Sequence, residues 1–381
     1  MFERTKAFCD SFLDLGLPGF DLAVYRDGEE ILRYMGGYSD LENKVKIKGD
    51  ERYNIYSCSK VITCTAAMQL YERGLFSLED KLSDYLPEFS EMTVRTEDGI
   101  RRAEKPILIK HLFEMTAGFD YNTQSPEIKE SIRETDGRCG TREVMRYLAK
   151  RPLSFEPGEK WQYSFCHDVL AALVEVLSGE KFEDYVKAHI FDVAGMTRTT
   201  FMLPDDELCE IAEQYRFENG APRNIGKDIY IYKFGREYAS GGAGAISTVD
   251  DYIKFLEALR THKLLKPETL TLMTTDRLND QQKQTYWSAE NHGYGYGLGV
   301  RCYKEGGKTE NFGWGGAACA YLAVDLKNGI SLYFAAHLLS SPTQGIRNMI
   351  YRLVHAELCG VDDFDSINED LKRLYKYDLT Y

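Results

Sequence analysis

Long apolar runs, clustered metal-ligand residues and positive charge are all scarce in this chain. No run of about 18 apolar residues occurs, the length a helix needs to cross the hydrocarbon core of a bilayer. The opening MFERTKAFCDSFLDLG carries acidic side chains and no apolar stretch of leader type. A cytoplasmic protein with no membrane partner is the expectation. A formal net charge of −13 argues against nucleic acid, because phosphate-rich partners are held by clustered Lys and Arg that displace counterions. Nine cysteines, an odd number with no C-x-x-C pair, read as thiols in a reducing compartment rather than a disulfide framework. Seven histidines show no H-x-H or H-E-x-x-H spacing, so neither a structural nor a catalytic metal is expected. Nothing implies an organic cofactor.

What is present is an ordinary globular composition, 43% hydrophobic and 28% charged over 381 residues, without low-complexity tracts or fixed-period repeats. That length exceeds what a single ordinary core holds comfortably, so one large α/β unit or two lobes sharing a cleft is expected. GFDLAVYRDGEEILRYMGGY reads as a hairpin around Asp27-Gly28 that opens the fold. Residues 58 to 73 read as a helix with Val61, Cys64, Met68 and Tyr71 on one stripe and Gly74 just past its end, which places Ser57 at its N-terminus. From about 80 to 240 the pattern is helical and loop-rich, punctuated by Pro87, Pro106, Pro152 and Pro157, with DVLAALVEVL (168 to 177) before Gly179 as its clearest helix. SGGAGAIS (240 to 247) can bring backbone close to another surface, and Ser247 to Asp250 has the capping-box pattern of a helix start.

The last third reads as an antiparallel meander. YGLGVRCY is followed by a turn at Glu305-Gly306-Gly307, a strand through Phe312, then AACAYLAVD, a turn at Asn328-Gly329 and ISLYFAAH. A final amphipathic helix, roughly 343 to 358, would cover one face. The division expected is a discontinuous sheet lobe, 1–80 and 240–381, with a mainly helical lobe, 81–239, inserted between and the active site in the cleft.

YSCSK (56 to 60) contains S-x-x-K. Residues i and i+3 of a helix share a face, so the Lys60 amine can reach the Ser57 hydroxyl, and a desolvated lysine can take a serine proton near neutral pH. The helix N-terminus adds N–H groups beside a developing oxyanion. Taken alone, the same four residues also fit a helix cap followed by a surface lysine. FEPGEKWQYS (155 to 164) and FGWGGAA (312 to 318) follow in order. With them the chain resembles the serine β-lactamase and DD-peptidase (penicillin-binding-protein-like) superfamily, and within it class C β-lactamases, D-aminopeptidase-like hydrolases and family VIII carboxylesterases. LPGF (17 to 20), LIKHLFEMTAGF (108 to 119), FDVAGM (191 to 196), GGAGAISTVDD (241 to 251) and YGYGLGV (294 to 300) extend the resemblance over nearly the whole chain.

The resemblance implies a β-lactamase/DD-peptidase-like α/β (α+β) fold, an antiparallel sheet flanked by helices plus the inserted helical lobe. It implies Ser57 as the acylated nucleophile, Lys60 as its activating lysine, and Tyr163 as the tyrosine of a Y-x-N element that shares proton transfer. Trp314-Gly315-Gly316 stands where the family has K-T-G or H-x-G and is similar to the W-G-G of family VIII esterases. The Ala317 N–H would then join that of Ser57 as an oxyanion donor. The other reading of this segment is a tight turn with Trp314 in the core. Phe165 replaces the asparagine of Y-x-N, and Trp314 replaces a residue that helps hold a substrate carboxylate, so neutral acyl groups are favoured. Arg347, on the expected last helix, is either a carboxylate anchor or a solvent-facing arginine. His167 either lines the cleft or sits in the core; His337 is expected at the sheet rim, and Cys58 as packing. The function expected is a serine hydrolase of carboxylesterase type acting on a small-molecule ester or amide. A β-lactamase or D-amino-acid peptidase is the first alternative, and a non-catalytic binding or sensing protein the second.

Overall fold

Asp27 (φ 51°) and Gly28 (φ 92°) both take the positive φ that a two-residue hairpin turn requires. In the computed structural model, which describes residues 1–227, 232–288, 291–303 and 311–377, this turn joins strands Gly19–Arg26 and Glu29–Asp40. The hairpin does not open the fold. A helix, Glu3–Asp14, precedes it, with Phe8, Cys9 and Phe12 buried on one side.

The main sheet has eight strands, all antiparallel, in the spatial order Tyr294–Tyr296, Arg301–Tyr303, Phe312–Gly315, Tyr321–Asp325, Ile330–Ala336, Gly19–Arg26, Glu29–Asp40 and Val45–Lys46. Both ends of the chain therefore build one sheet, seamed where Val24 pairs with Leu332. Side chains alternate across the fully buried strand Ile330–Ala336. Leu332, Phe334 and Ala336 join a core beneath helices Glu3–Asp14 and Met349–Cys359. Tyr333 and Ala335 face the larger core on the other side, where Tyr333 stacks at 4.3 Å on Tyr252 of helix Val249–Arg260.

YGLGVRCY is not one strand. It folds back on itself, Tyr294–Tyr296 pairing with Arg301–Tyr303, because Gly299 adopts φ 82° between them. The turn expected at Glu305-Gly306-Gly307 lies outside the described residues. The helix expected at 343 to 358 is shorter, Met349–Cys359, since the residues before it are spent in turns, and it is not the last: a helix Phe364–Asp370 follows it.

Between the two halves of the sheet the chain is mainly helical. Helix Cys166–Ser178 ends at Gly179 in the left-handed conformation, as a C′ glycine should. It packs against helix Ser59–Glu72, which is buried on nearly all sides rather than along one stripe. The small-residue segment runs against this pair, and a side chain at 241 would meet the His167 carbonyl oxygen at 2.5 Å. The helix after it starts one residue later than the sequence pattern indicated: Thr248, not Ser247, is its N-cap, accepting the Asp251 N–H at 3.1 Å.

Candidate active site

Ser57 does not sit on the α-helix itself. It belongs to a single 3₁₀ turn, Tyr56–Cys58, directly ahead of helix Ser59–Glu72. Tyr56 enters this turn at φ 46°, a strained conformation for a bulky residue that persists only where its surroundings enforce it. The Tyr56 hydroxyl donates to Gln214 Oε1 at 3.0 Å, the Cys58 carbonyl accepts from the Tyr252 hydroxyl at 2.8 Å, and the Ile55 N–H reaches the Ala245 carbonyl at 3.1 Å. Backbone strain beside Ser57 is thus balanced by bonds to three other segments.

The i to i+3 relation still brings Lys60 to Ser57, Nζ donating to Oγ at 3.3 Å. The Lys60 amine is fully buried and also donates to the Gly242 carbonyl at 2.6 Å. Desolvation pushes its pKa down to about 8, with the negative charge of Asp168 the strongest opposing influence. Tyr163, in the loop before helix Cys166–Ser178, shares a short hydrogen bond with Ser57 through its hydroxyl. Burial pushes the Tyr163 phenol up, against the pull of its hydrogen bonds to Ser57 and Trp314. Lys60 Nζ lies 4.5 Å from the Tyr163 ring centre and 5.1 Å from that of Tyr121.

Trp314 and Gly315 end strand Phe312–Gly315, and Gly316 begins the turn that follows. The Trp314 ring stacks on Tyr163 at 6.2 Å, nearly parallel, so it is both packed and part of the site wall. A side chain at 316 would come within 2.5 Å of the Ile55 carbonyl oxygen, which shows how closely this turn approaches the Ser57 turn. Ser57, Tyr163, Trp314 and the backbone from Gly315 to Ala317 border one cavity of about 350 Å³. Trp161, Tyr286 and Trp287 also border it, together with Asn291, Arg301 and Arg347.

Arg347 is not solvent-facing and not on helix Met349–Cys359. It is buried just before that helix, and its Nη1 donates to the Gly316 carbonyl at the cavity edge. His167 is a core residue, its Nε2 3.4 Å from the Phe113 carbonyl, and burial lowers its pKa to about 3. His337 is likewise buried, against Tyr53 and Tyr215, rather than at the sheet rim. Cys58 is buried packing. Phe165 packs edge-on to Tyr121 at 4.6 Å where an amide was expected from the family pattern.

Beside the cavity residues Trp161, Tyr286 and Trp287, two residues near Lys60 were not singled out in the sequence. Tyr121 is one of 26 tyrosines, and nothing in its spacing marks it. Asp168 did carry a signal, a charge opening an apolar helix; it is fully buried and accepts from the Ser240 and Tyr238 hydroxyls. Among the described residues no group of three His, Cys, Asp or Glu side chains could hold a metal ion, and no helix is long and apolar enough to cross a membrane.

The arrangement can activate a serine and stabilise an oxyanion beside an aromatic cavity. The model of the Beta-lactamase family matches residues 5–356. Esterase EstB of Burkholderia gladioli is 30% identical over 318 residues, 78% of each chain. Protein Rv1367c of Mycobacterium tuberculosis is 28% identical over 336 residues, 82% of each. Among solved structures, EstCE1, described as a hydrolase with promiscuous acyltransferase activity, superposes with a TM-score of 0.75 at 26% identity, covering 92% of this chain and 98% of its own.

Proposed function

The chain belongs to the beta-lactamase family and is a serine hydrolase, and we propose that it hydrolyses carboxylic esters through an acyl-enzyme on Ser57. The observation that carries this is the meeting of Ser57 Oγ with both Lys60 Nζ and the Tyr163 hydroxyl at the wall of one cavity. Lys60, with Tyr163 as relay, takes the Ser57 proton as Oγ attacks the acyl carbonyl. The tetrahedral oxyanion is held by the Ser57 and Ala317 N–H groups, with Trp314, Gly315 and Gly316 forming the substrate-facing wall. As the bond to the leaving alcohol breaks, Tyr163 returns the proton to its oxygen. Water, deprotonated by the same pair, then attacks the acyl carbon and frees Ser57.

An ester is favoured over a β-lactam or a D-amino-acid amide because Phe165 is a core ring packed on Tyr121 where the family pattern has an amide, and Trp314 borders the cavity where the family has a residue that helps hold a carboxylate; Arg301 and Arg347 border the same cavity. A second reading, transfer of the acyl group to an alcohol, is favoured by the aromatic side chains bordering the cavity, which can seat an apolar acceptor in place of water, and by the activity named for EstCE1. We place the site in the cleft between a sheet lobe, 1–80 and 240–381, and a helical lobe, 81–239. We place the protein in the cytosol, in keeping with nine free cysteines.

The test is turnover of p-nitrophenyl acetate and butyrate beside a chromogenic cephalosporin, with wild type and Ser57→Ala in parallel. Ester turnover lost in Ser57→Ala, with the cephalosporin left intact, is expected. Cephalosporin turnover at rates comparable to esters would make the protein a β-lactamase. Absence of both, together with no labelling of Ser57 by an active-site phosphonate, would make it a binding protein that has lost catalysis.

A further inference from the structure

Asp168 is a fully buried acid that the mechanism above does not use. Its Oδ1 accepts the Tyr238 hydroxyl at 2.7 Å and the Ser240 hydroxyl at 2.6 Å. Ser240 Oγ in turn accepts the Ala243 N–H at 3.0 Å, so its own proton is directed at Asp168. Gly242 packs against the other carboxylate oxygen so tightly that a side chain there would collide with it. The carbonyls of this same turn point the opposite way, into helix Ser59–Glu72, where Gly241 receives the Thr63 hydroxyl at 2.7 Å and Gly242 receives Lys60 Nζ at 2.6 Å. One side chain therefore grips the turn from one side while the Lys60 amine is gripped by it from the other.

We propose that Asp168 is a positioning residue for Lys60: it fixes the 240–244 turn, whose Gly242 carbonyl aims the amine at Ser57, and among the described residues it is the carboxylate whose charge acts on that amine. The inference rests on the reading of Ser57 and Lys60 given above. The titratable groups around Lys60 are Cys58 and Cys64 from its own segment, Cys166, His167 and Asp168 from helix Cys166–Ser178, and the phenols of Tyr121 and Tyr163. Burial keeps the thiols and phenols protonated, Cys58 up to about 12 and Cys166 up to about 11, and keeps His167 neutral. Burial also raises the Asp168 carboxyl, against the hydrogen bonds of Ser240 and Tyr238 and the charge of Lys60; among the described residues it is the carboxylate whose charge opposes loss of the Lys60 proton. Removing it makes the lysine a weaker proton holder, so the acidic limb of the rate profile moves to lower pH, while loss of the grip on the turn lowers kcat.

The experiment is the pH dependence of kcat and kcat/KM for p-nitrophenyl butyrate in wild type, Asp168→Asn and Ser240→Ala. Asp168→Asn is expected to lower kcat about tenfold, with the limb of kcat/KM displaced downward by half a pH unit or more. Ser240→Ala keeps the charge and loosens the turn, so kcat falls severalfold with KM little changed; this variant decides the matter if Asp168→Asn does not fold. Wild-type kcat in Ser240→Ala, or an unmoved limb in folded Asp168→Asn, overturns the inference. If Ser57→Ala retains full turnover, the reading of the nucleophile has failed instead; loss in Ser57→Ala with wild-type behaviour in the other two variants refutes only the role of Asp168.

Discussion

Gly316→Ala puts the catalytic geometry under a defined strain. The added Cβ would lie 2.5 Å from the Ile55 carbonyl oxygen and 3.2 Å from the Ala320 side chain. Ordinary contact begins at 3.4 Å, so the two backbones must part by about 0.9 Å, and neither is free to rotate away. Ile55 is anchored by its N–H to the Ala245 carbonyl, and Gly316 by its N–H to the Ala320 carbonyl at 2.8 Å. The segment that moves carries Ala317, proposed above as the second oxyanion donor. A displacement near 1 Å costs about 10²-fold in rate, the scale also seen when one oxyanion donor is lost. The expected loss in kcat/KM is thus about 100-fold, or about 2.7 kcal/mol of transition-state stabilisation. Overpacking adds about 1–3 kcal/mol of lost stability, so the assay pairs initial rates on p-nitrophenyl butyrate with equilibrium denaturation and phosphonate titration of folded sites. Gly140→Ala is the control: its Cβ would find nothing closer than 3.5 Å, and its kcat/KM should match wild type. A folded Gly316→Ala enzyme within threefold of wild type would refute the placement of the oxyanion wall against the Ser57 turn.

Because Lys60 acts as a base only when neutral and burial lowers its pKa to about 8, kcat/KM for a neutral ester should rise with pH below about 8 and level above it; a flat profile between pH 6 and 9 would exclude Lys60 as the base. The same shift means the unfolded chain binds more protons than the folded one above pH 8, so Lys60 adds stability as pH climbs from there toward the ordinary lysine range. Phe165→Asn, which restores the amide of Y-x-N, removes a ring packed at 4.6 Å on Tyr121 and 5.9 Å on Phe234. It should cost about 3 kcal/mol in urea denaturation, and a loss below about 1 kcal/mol would show that the pocket readily accepts the amide.

Local rules were readable and distant contacts were not. The meeting of Ser57 and Lys60 is legible from their i to i+3 spacing once FEPGEKWQYS and FGWGGAA supply its context, and Asp27-Gly28 and Gly179 from the φ angles that turns and helix ends demand. The sheet of both chain ends followed from counting alternating segments and asking what could cover them. The helix Glu3–Asp14 escaped because its apolar residues are few, and it is held by partners across the chain: the Thr5 hydroxyl donates to Glu357 at 2.6 Å, and the Phe12 ring meets Phe334 edge-on at 5.8 Å. Arg347 reads as a surface residue until the carbonyl of Gly316 is seen to need it. Asp168 is similar: a charge in an apolar helix signals something, but the turn it holds lies some seventy residues further on.

The pairing of Val24 with Leu332 also sets an order of events at the ribosome. Strand Gly19–Arg26 leaves the exit tunnel early with only its hairpin partner beside it, and a lone hairpin is marginal in water. Its second neighbour, Ile330–Ala336, is synthesised more than 300 residues later. Closing so long a loop is entropically tolerable but kinetically slow. Until then this strand presents an unpaired edge, the one that Ile330–Ala336 closes in the folded molecule.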